Sequence, residues 1–170
     1  GFSSDVIEVS GCALTSLSMV LKYYGVATDP GDLNNWLKGN GGFMGKNSII
    51  WSKIAEKSEG TVTYLGSHDY DNSAADLELI RSALDAGYPV IARMKYYGYH
   101  YVVITGYSGS TFYMNDPFWD DPSITINSNY EPYDDPSNSI KGIVLIHGNP
   151  PAVPRVPVIK TPPNPKSTFN

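Results

Sequence analysis

The sequence predicts an α+β fold, with helices first and an antiparallel sheet after them. Three observations predict it. In the first half, apolar residues recur at three- and four-residue spacing; beyond Gly87 the period shortens to two and Tyr, Val and Ile dominate. The chain has 170 residues, 41% of them apolar, which suits one sizeable core and hardly two.

The elements follow in order. Over Cys12 to Tyr24, Ala13, Leu14, Leu17, Val20, Leu21 and Tyr24 form one apolar face, and Gly25 stands ready as the C′ residue. Asp29-Pro30 is an N-cap with proline at N1, announcing a second helix towards Leu37 that stops at the glycines of 39–45. A third helix is expected over Ile49 to Lys57. A fourth starts at Ser73, with Asp76 three residues on as in a capping box, and ends at Gly87. Thr61–Leu65 reads as a short strand between helices. Val90–Met94, Tyr99–Gly106 and Thr111–Asn115 read as strands, with a turn at Gly106–Ser110, and Ile143–Ile146 as the last.

The stretch after Gly148 is different in kind. Seven of the 21 residues from Pro150 to Asn170 are proline, without helix or strand period, so 149–170 is expected to be an extended linker and 1–148 the folded domain. A linker at the end implies a further domain beyond it. A chain opening at Gly1 instead of Met is expected to be a processed or excised piece.

Composition excludes several function classes. Lys and Arg total 12 against 17 for Asp and Glu, giving a net charge of −5 without a basic cluster, so nucleic-acid binding is not expected. No apolar run nears the ~20 residues of a membrane span. One cysteine allows neither an internal disulfide nor a multi-cysteine zinc site, and the chemistry below calls for no metal or cofactor. Asp120, Asp121, Glu131, Asp134 and Asp135 crowd one segment, but their spacing is not that of an EF-hand, and a solvated acidic loop is the expected reading. The polar, tyrosine-rich balance is commoner in exported bacterial domains and points to a secreted or cell-surface protein.

Cys12 is the most informative residue. It follows Gly11 at the expected start of the first helix, where the positive end of the helix dipole would favour the thiolate. The bland alternative is a small buried hydrophobe. A nucleophilic thiol needs a base, and three histidines are present. His68 reads as a surface loop residue and His147 as a packing residue at a strand end. His100 shares a strand face with Val102 and Ile104, looks towards the core and needs a polar partner. Asp116 can supply it, since the hairpin should bring Asn115 or Asp116 level with His100; otherwise Asp116 is an ordinary turn residue before Pro117. Cys, His and Asp together allow the chemistry of a triad.

The stretch Gly11-Cys12-Ala13-Leu14-Thr15-Ser16-Leu17-Ser18-Met19-Val20-Leu21-Lys22-Tyr23-Tyr24-Gly25 resembles the nucleophile helix of C39-like cysteine peptidases, relatives of the bacteriocin-leader-cleaving proteases. Gly87-Tyr88-Pro89-Val90-Ile91-Ala92, His100-Tyr101-Val102-Val103-Ile104-Thr105-Gly106-Tyr107 and Asn115-Asp116-Pro117 follow in that family's order. So do Asp29-Pro30 and Leu33-Asn34-Asn35-Trp36-Leu37. The resemblance spans nearly all of 1–148. It implies a papain-like fold, a peptide or protein substrate (cell-wall peptide among the options), Cys12 as nucleophile, His100 as base and acid, and Asp116 as its orienting group.

One departure stands out. The family usually carries a glutamine upstream of the cysteine, whose amide joins the cysteine N–H in binding the oxyanion; this chain contains no glutamine, and eleven residues precede Cys12. Either that residue lies upstream of Gly1, or another donor replaces it, or the hole is incomplete; Ser3, Ser4 and Ser10 are the nearby neutral side-chain donors. Cell-wall hydrolases of the NlpC/P60 type are a poorer match, because they place Asp before the cysteine and Ser-Gly after it. Transglutaminase-like domains share the Cys, His, Asp order but fit less well around Cys12. A non-catalytic or weakly active binding module of a secreted multi-domain protein is the alternative from another class. The aromatics Trp51, Tyr96, Tyr97, Phe118 and Trp119 are core or cleft-rim candidates.

Overall fold

The computed structural model describes residues 5–45, 48–69, 74–95, 99–119, 125–126 and 139–149. The proline-rich 149–170 segment beyond Asn149, Tyr96 and Tyr97, and Asp120, Asp121, Glu131, Asp134 and Asp135 of the acidic segment lie outside the described residues. Four helices are described: α1 (Asp5–Tyr23), α2 (Pro30–Gly39), α3 (Ile54–Lys57) and α4 (Ala74–Asp85). The strands are β1 (Phe43–Met44), β2 (Ser48–Ile49), β3 (Val62–Asp69), β4 (Val90–Lys95), β5 (Tyr99–Ser108), β6 (Thr111–Asn115) and β7 (Ile140–Gly148).

Five strands form one antiparallel sheet in the order β3-β7-β4-β5-β6. Its two faces bury separate apolar clusters. Leu14, Leu17, Val20 and Leu21 of α1, with Leu33 and Leu37 of α2, pack on Ile91, Val103, Val144 and Ile146. Ile80, Leu77 and Leu84 of α4 pack on Val90, Ala92, Val102, Ile104, Phe112 and Met114. Covering on both sides explains why Val90, Ile91, Ala92 and Met94 of the central strand are all buried, where a half-exposed strand would alternate.

Most elements lie where their sequence signals put them. The Asp29 side chain accepts the Asp32 N–H at 2.8 Å and caps α2, as its Asp-Pro start requires. Gly25 takes φ +83° after α1, as a C′ glycine does. Gly148 ends β7 against Tyr24, the residue after α1: a Cβ there would lie 2.8 Å from the Tyr24 ring, so only glycine fits.

Four expectations change. First, α1 begins at Asp5, seven residues before Cys12. Second, the helix expected over Ile49 to Lys57 is split: Ser48–Ile49 pairs with Phe43–Met44 in a two-stranded ladder, a 3₁₀ turn covers Trp51–Lys53, and α3 is one turn. Third, β5 runs on to Ser108, so the turn is the two-residue Gly109-Ser110, with Gly109 at φ +59°. Fourth, β3 extends to Asp69 and places His68 as an exposed residue of an edge strand instead of a loop. Ser73, the expected cap of α4, is outside the described residues. No described helix is long and apolar enough to cross a membrane.

Candidate active site

Cys12, His100 and Asp116 come from α1, β5 and the end of β6, and the fold brings their side chains together. Cys12 lies on the buried face of α1; four residues on, one helical turn away on the same face, buried Ser16 donates its hydroxyl to the Tyr101 carbonyl at 3.1 Å. That bond ties α1 to β5 beside His100. The Cys12 thiol lies near the His100 ring and the backbone of Tyr101 and Ala13, all of which favour its thiolate. Sequence reading missed Ser16, because a serine on an apolar helix face signals nothing about its strand partner.

His100 and Asp116 meet through a bulge. Next to the turn the β5–β6 ladder pairs Ser108 with Thr111, Tyr107 with Phe112 and Gly106 with Tyr113. Continued unbroken, that register would set Asp116 opposite Val103, on the α1 face of the sheet. Instead Thr105 is an extra residue, Ile104 pairs with Met114 and Val103 with Asn115. The slip moves Asp116 to the face that carries His100. Asp116 is therefore a diagonal neighbour of His100, where the sequence suggested a level one. Its Oδ1 lies 2.8 Å from His100 Nε2. Both residues are 3% exposed.

The protonation pattern follows. An ionised carboxylate can only accept, so Nε2 carries the hydrogen and Nδ1 is left for Cys12. Burial by itself would push the imidazole below its usual value, but the hydrogen bonds and charges of Asp116 and Cys12 push it up to about 9. Burial likewise pushes the Cys12 thiol up, yet its bond to His100, the Tyr101 backbone and the imidazolium charge hold it below the ordinary thiol value. The helix dipole expected to do this is not the cause: Cys12 is seven residues into α1, and the end field fades within a turn.

The same extension occupies a donor. In a helix starting at Asp5, the Cys12 N–H is held by the Glu8 carbonyl four residues back. In this conformation it is not presented to a substrate oxygen. The side chains of Ser3, Ser4 and Ser10 lie outside the described set.

The turn after β6 supplies two exposed aromatics. Phe118, 63% exposed, stacks on His100 with centroids 4.3 Å apart and planes at 3°. Trp119 is 54% exposed. Trp51 tilts against Tyr101 at 6.0 Å. His147 makes its contacts with another residue: its Nε2 lies 2.8 Å from the Tyr88 hydroxyl and it packs edge-on against that ring. Among the described residues no three His, Cys, Asp or Glu side chains group as a metal site.

This arrangement agrees with a comparison against protein families. Residues 3–135 match the model of the Peptidase C39 like family. The chain belongs to that family. A crystal structure of a candidate C39-like peptidase from Bacillus anthracis has the same fold, with a TM-score of 0.52 at 19% identity over 82% of this chain and 90% of that one. No curated protein matches. The α+β architecture expected of a C39-like chain is thus present, and family and fold support a peptidase-like function.

Proposed function

We propose that this C39-like domain is a cysteine peptidase, with Cys12 as nucleophile, His100 as base and acid, and Asp116 as the group that orients His100. The observation that carries the reading is the buried His100–Asp116 hydrogen bond, with the Cys12 thiol close enough to the same imidazole for each to shift the other's titration. His100 Nδ1 takes the thiol proton, and the sulfur attacks the carbonyl carbon of a peptide amide. The tetrahedral oxyanion collapses as Nδ1–H protonates the departing amine. Water then gives its proton to Nδ1 and cleaves the thioester, releasing the acid and restoring the thiol.

The oxyanion is the weak point. With the Cys12 N–H held inside α1 and no glutamine in the chain, a primed thiol would coexist with slow turnover, since losing one oxyanion donor costs roughly 10²–10³ in kcat. That observation also favours a second reading, a weakly active or binding module of a secreted multi-domain protein. Digestion of a defined peptide library, read by mass spectrometry, separates the two. Peptidase action predicts new termini that vanish in Cys12→Ala and His100→Ala. Intact peptides retained equally by wild type and Cys12→Ala would support the binding module. A peptide or protein substrate, cell-wall peptide included, suits this chemistry. The polar composition suits a secreted or cell-surface bacterial location, which fractionation of the producing cells tests.

A further inference from the structure

We propose that Phe118 is a positioning residue of this reaction: its ring face holds the His100 imidazolium in the plane that serves Cys12 and Asp116 at once. The inference rests on the triad reading above and deepens it.

The rings are parallel within 3° at 4.3 Å. A flat cation gains from lying over the negative face of a benzene ring, and parallel rings at this separation allow that contact. The stack is also built in. Asp116 Oδ1, the oxygen bonded to His100 Nε2, accepts the Phe118 N–H at 2.8 Å. The Asp116 carbonyl accepts the Trp119 N–H at 3.2 Å, closing a turn through Pro117. One carboxylate oxygen thus fixes both the edge of the imidazole and the backbone of the residue lying on its face.

The cost of the arrangement points the same way. Phe118 stays 63% exposed while the imidazole beneath it is 3% exposed. A phenylalanine kept in water contributes little to a core, so its gain lies in what it covers. It shields the His100–Asp116 bond from water, and away from water that bond is stronger. Among the described residues, Cys12 from α1 and Asp116 from the β6 end act on the imidazole, and opposite it on β4 stands the apolar Met94. Phe118 therefore works on a pair whose charges are already in place.

The test is the rate of Cys12 alkylation by iodoacetamide against pH in wild type, Phe118→Leu and Phe118→Trp. Leucine keeps apolar bulk without a π face, and tryptophan keeps the face. In Phe118→Leu the acid limb should move up by roughly half a pH unit, the size of an exposed cation–π contact, while Phe118→Trp restores the wild-type limb. The residue is largely exposed, so neither change opens a core cavity. A Phe118→Leu limb that coincides with wild type overturns this proposal alone. A wild-type thiol that titrates like free cysteine overturns the triad reading and this proposal with it.

Discussion

Asp116 accepts two hydrogen bonds on one buried oxygen, and the protonation of His100 depends on its charge. Asp116→Asn keeps an acceptor but removes that charge, so kcat on a cleaved peptide should fall by roughly 10²- to 10⁴-fold. A linked stability effect follows. In a Cys12→Ala background, Asp116 is left as the partner of the imidazolium. A histidine raised in the folded state above its ordinary 6.5 contributes stability that is complete below pH 6.5. That stability is lost as pH rises through the folded value, about 9 with Cys12 present. The stability gap between Cys12→Ala and Cys12→Ala/Asp116→Asn, measured by urea unfolding, should be widest near pH 6 and close towards pH 9. A gap that ignores pH would contradict the ion pair. At this scale the sequence was informative about identities: a thiol on an apolar helix, a histidine facing a core and an Asp-Pro after a strand each stand out. It was silent on Phe118 over His100, because a turn residue has no periodicity to reveal which way its ring folds back.

Two elements decide whether those residues can work. The bulge at Thr105 gives Asp116 its face, and the length of α1 decides what Cys12 N–H is bonded to. Neither is written in a local pattern. The bulge reflects tertiary demands that turn chemistry and strand propensity do not encode. The helix before Cys12 runs through Gly11 and the β-branched Val6, Ile7 and Val9, residues with poor helix propensity, and so Gly11 read as a boundary. The α1 extension makes a prediction. Proline at position 10 suits N1 and pushes Val9 out of the helical region. In Ser10→Pro the helix should restart there, placing Cys12 at N3 with its N–H free. Peptide turnover should then rise at least tenfold, up to the ~10²–10³ that one oxyanion donor supplies. Unchanged kcat, with a circular dichroism spectrum showing lost helix, would mean that this N–H does not limit the reaction.

The described residues build a five-stranded sheet with an apolar cluster on each face, and Cys12 rides on a helix of one cluster. The thiol–imidazole distance is therefore set by how α1 seats on β4, β5 and β7. Leu17 is fully buried at that seat, one residue from Ser16. Leu17→Ala should cost about 2–5 kcal/mol of unfolding free energy and also slow Cys12 alkylation at temperatures where the variant is still folded. Denaturation and alkylation on the same samples check both, and a destabilised variant with wild-type alkylation would separate site from seat. Fold class was legible at this scale because the helical and strand periods occupy different halves of the chain. The strand order was not, since it rests on long-range pairing of β7 between β3 and β4. The central claim is a thiol primed by its histidine, and alkylation of Cys12 against pH in wild type and His100→Ala tests it most directly. The rate should stay high well below pH 8 in wild type and lose its acid limb in His100→Ala. A thiol that titrates identically in both proteins would contradict it.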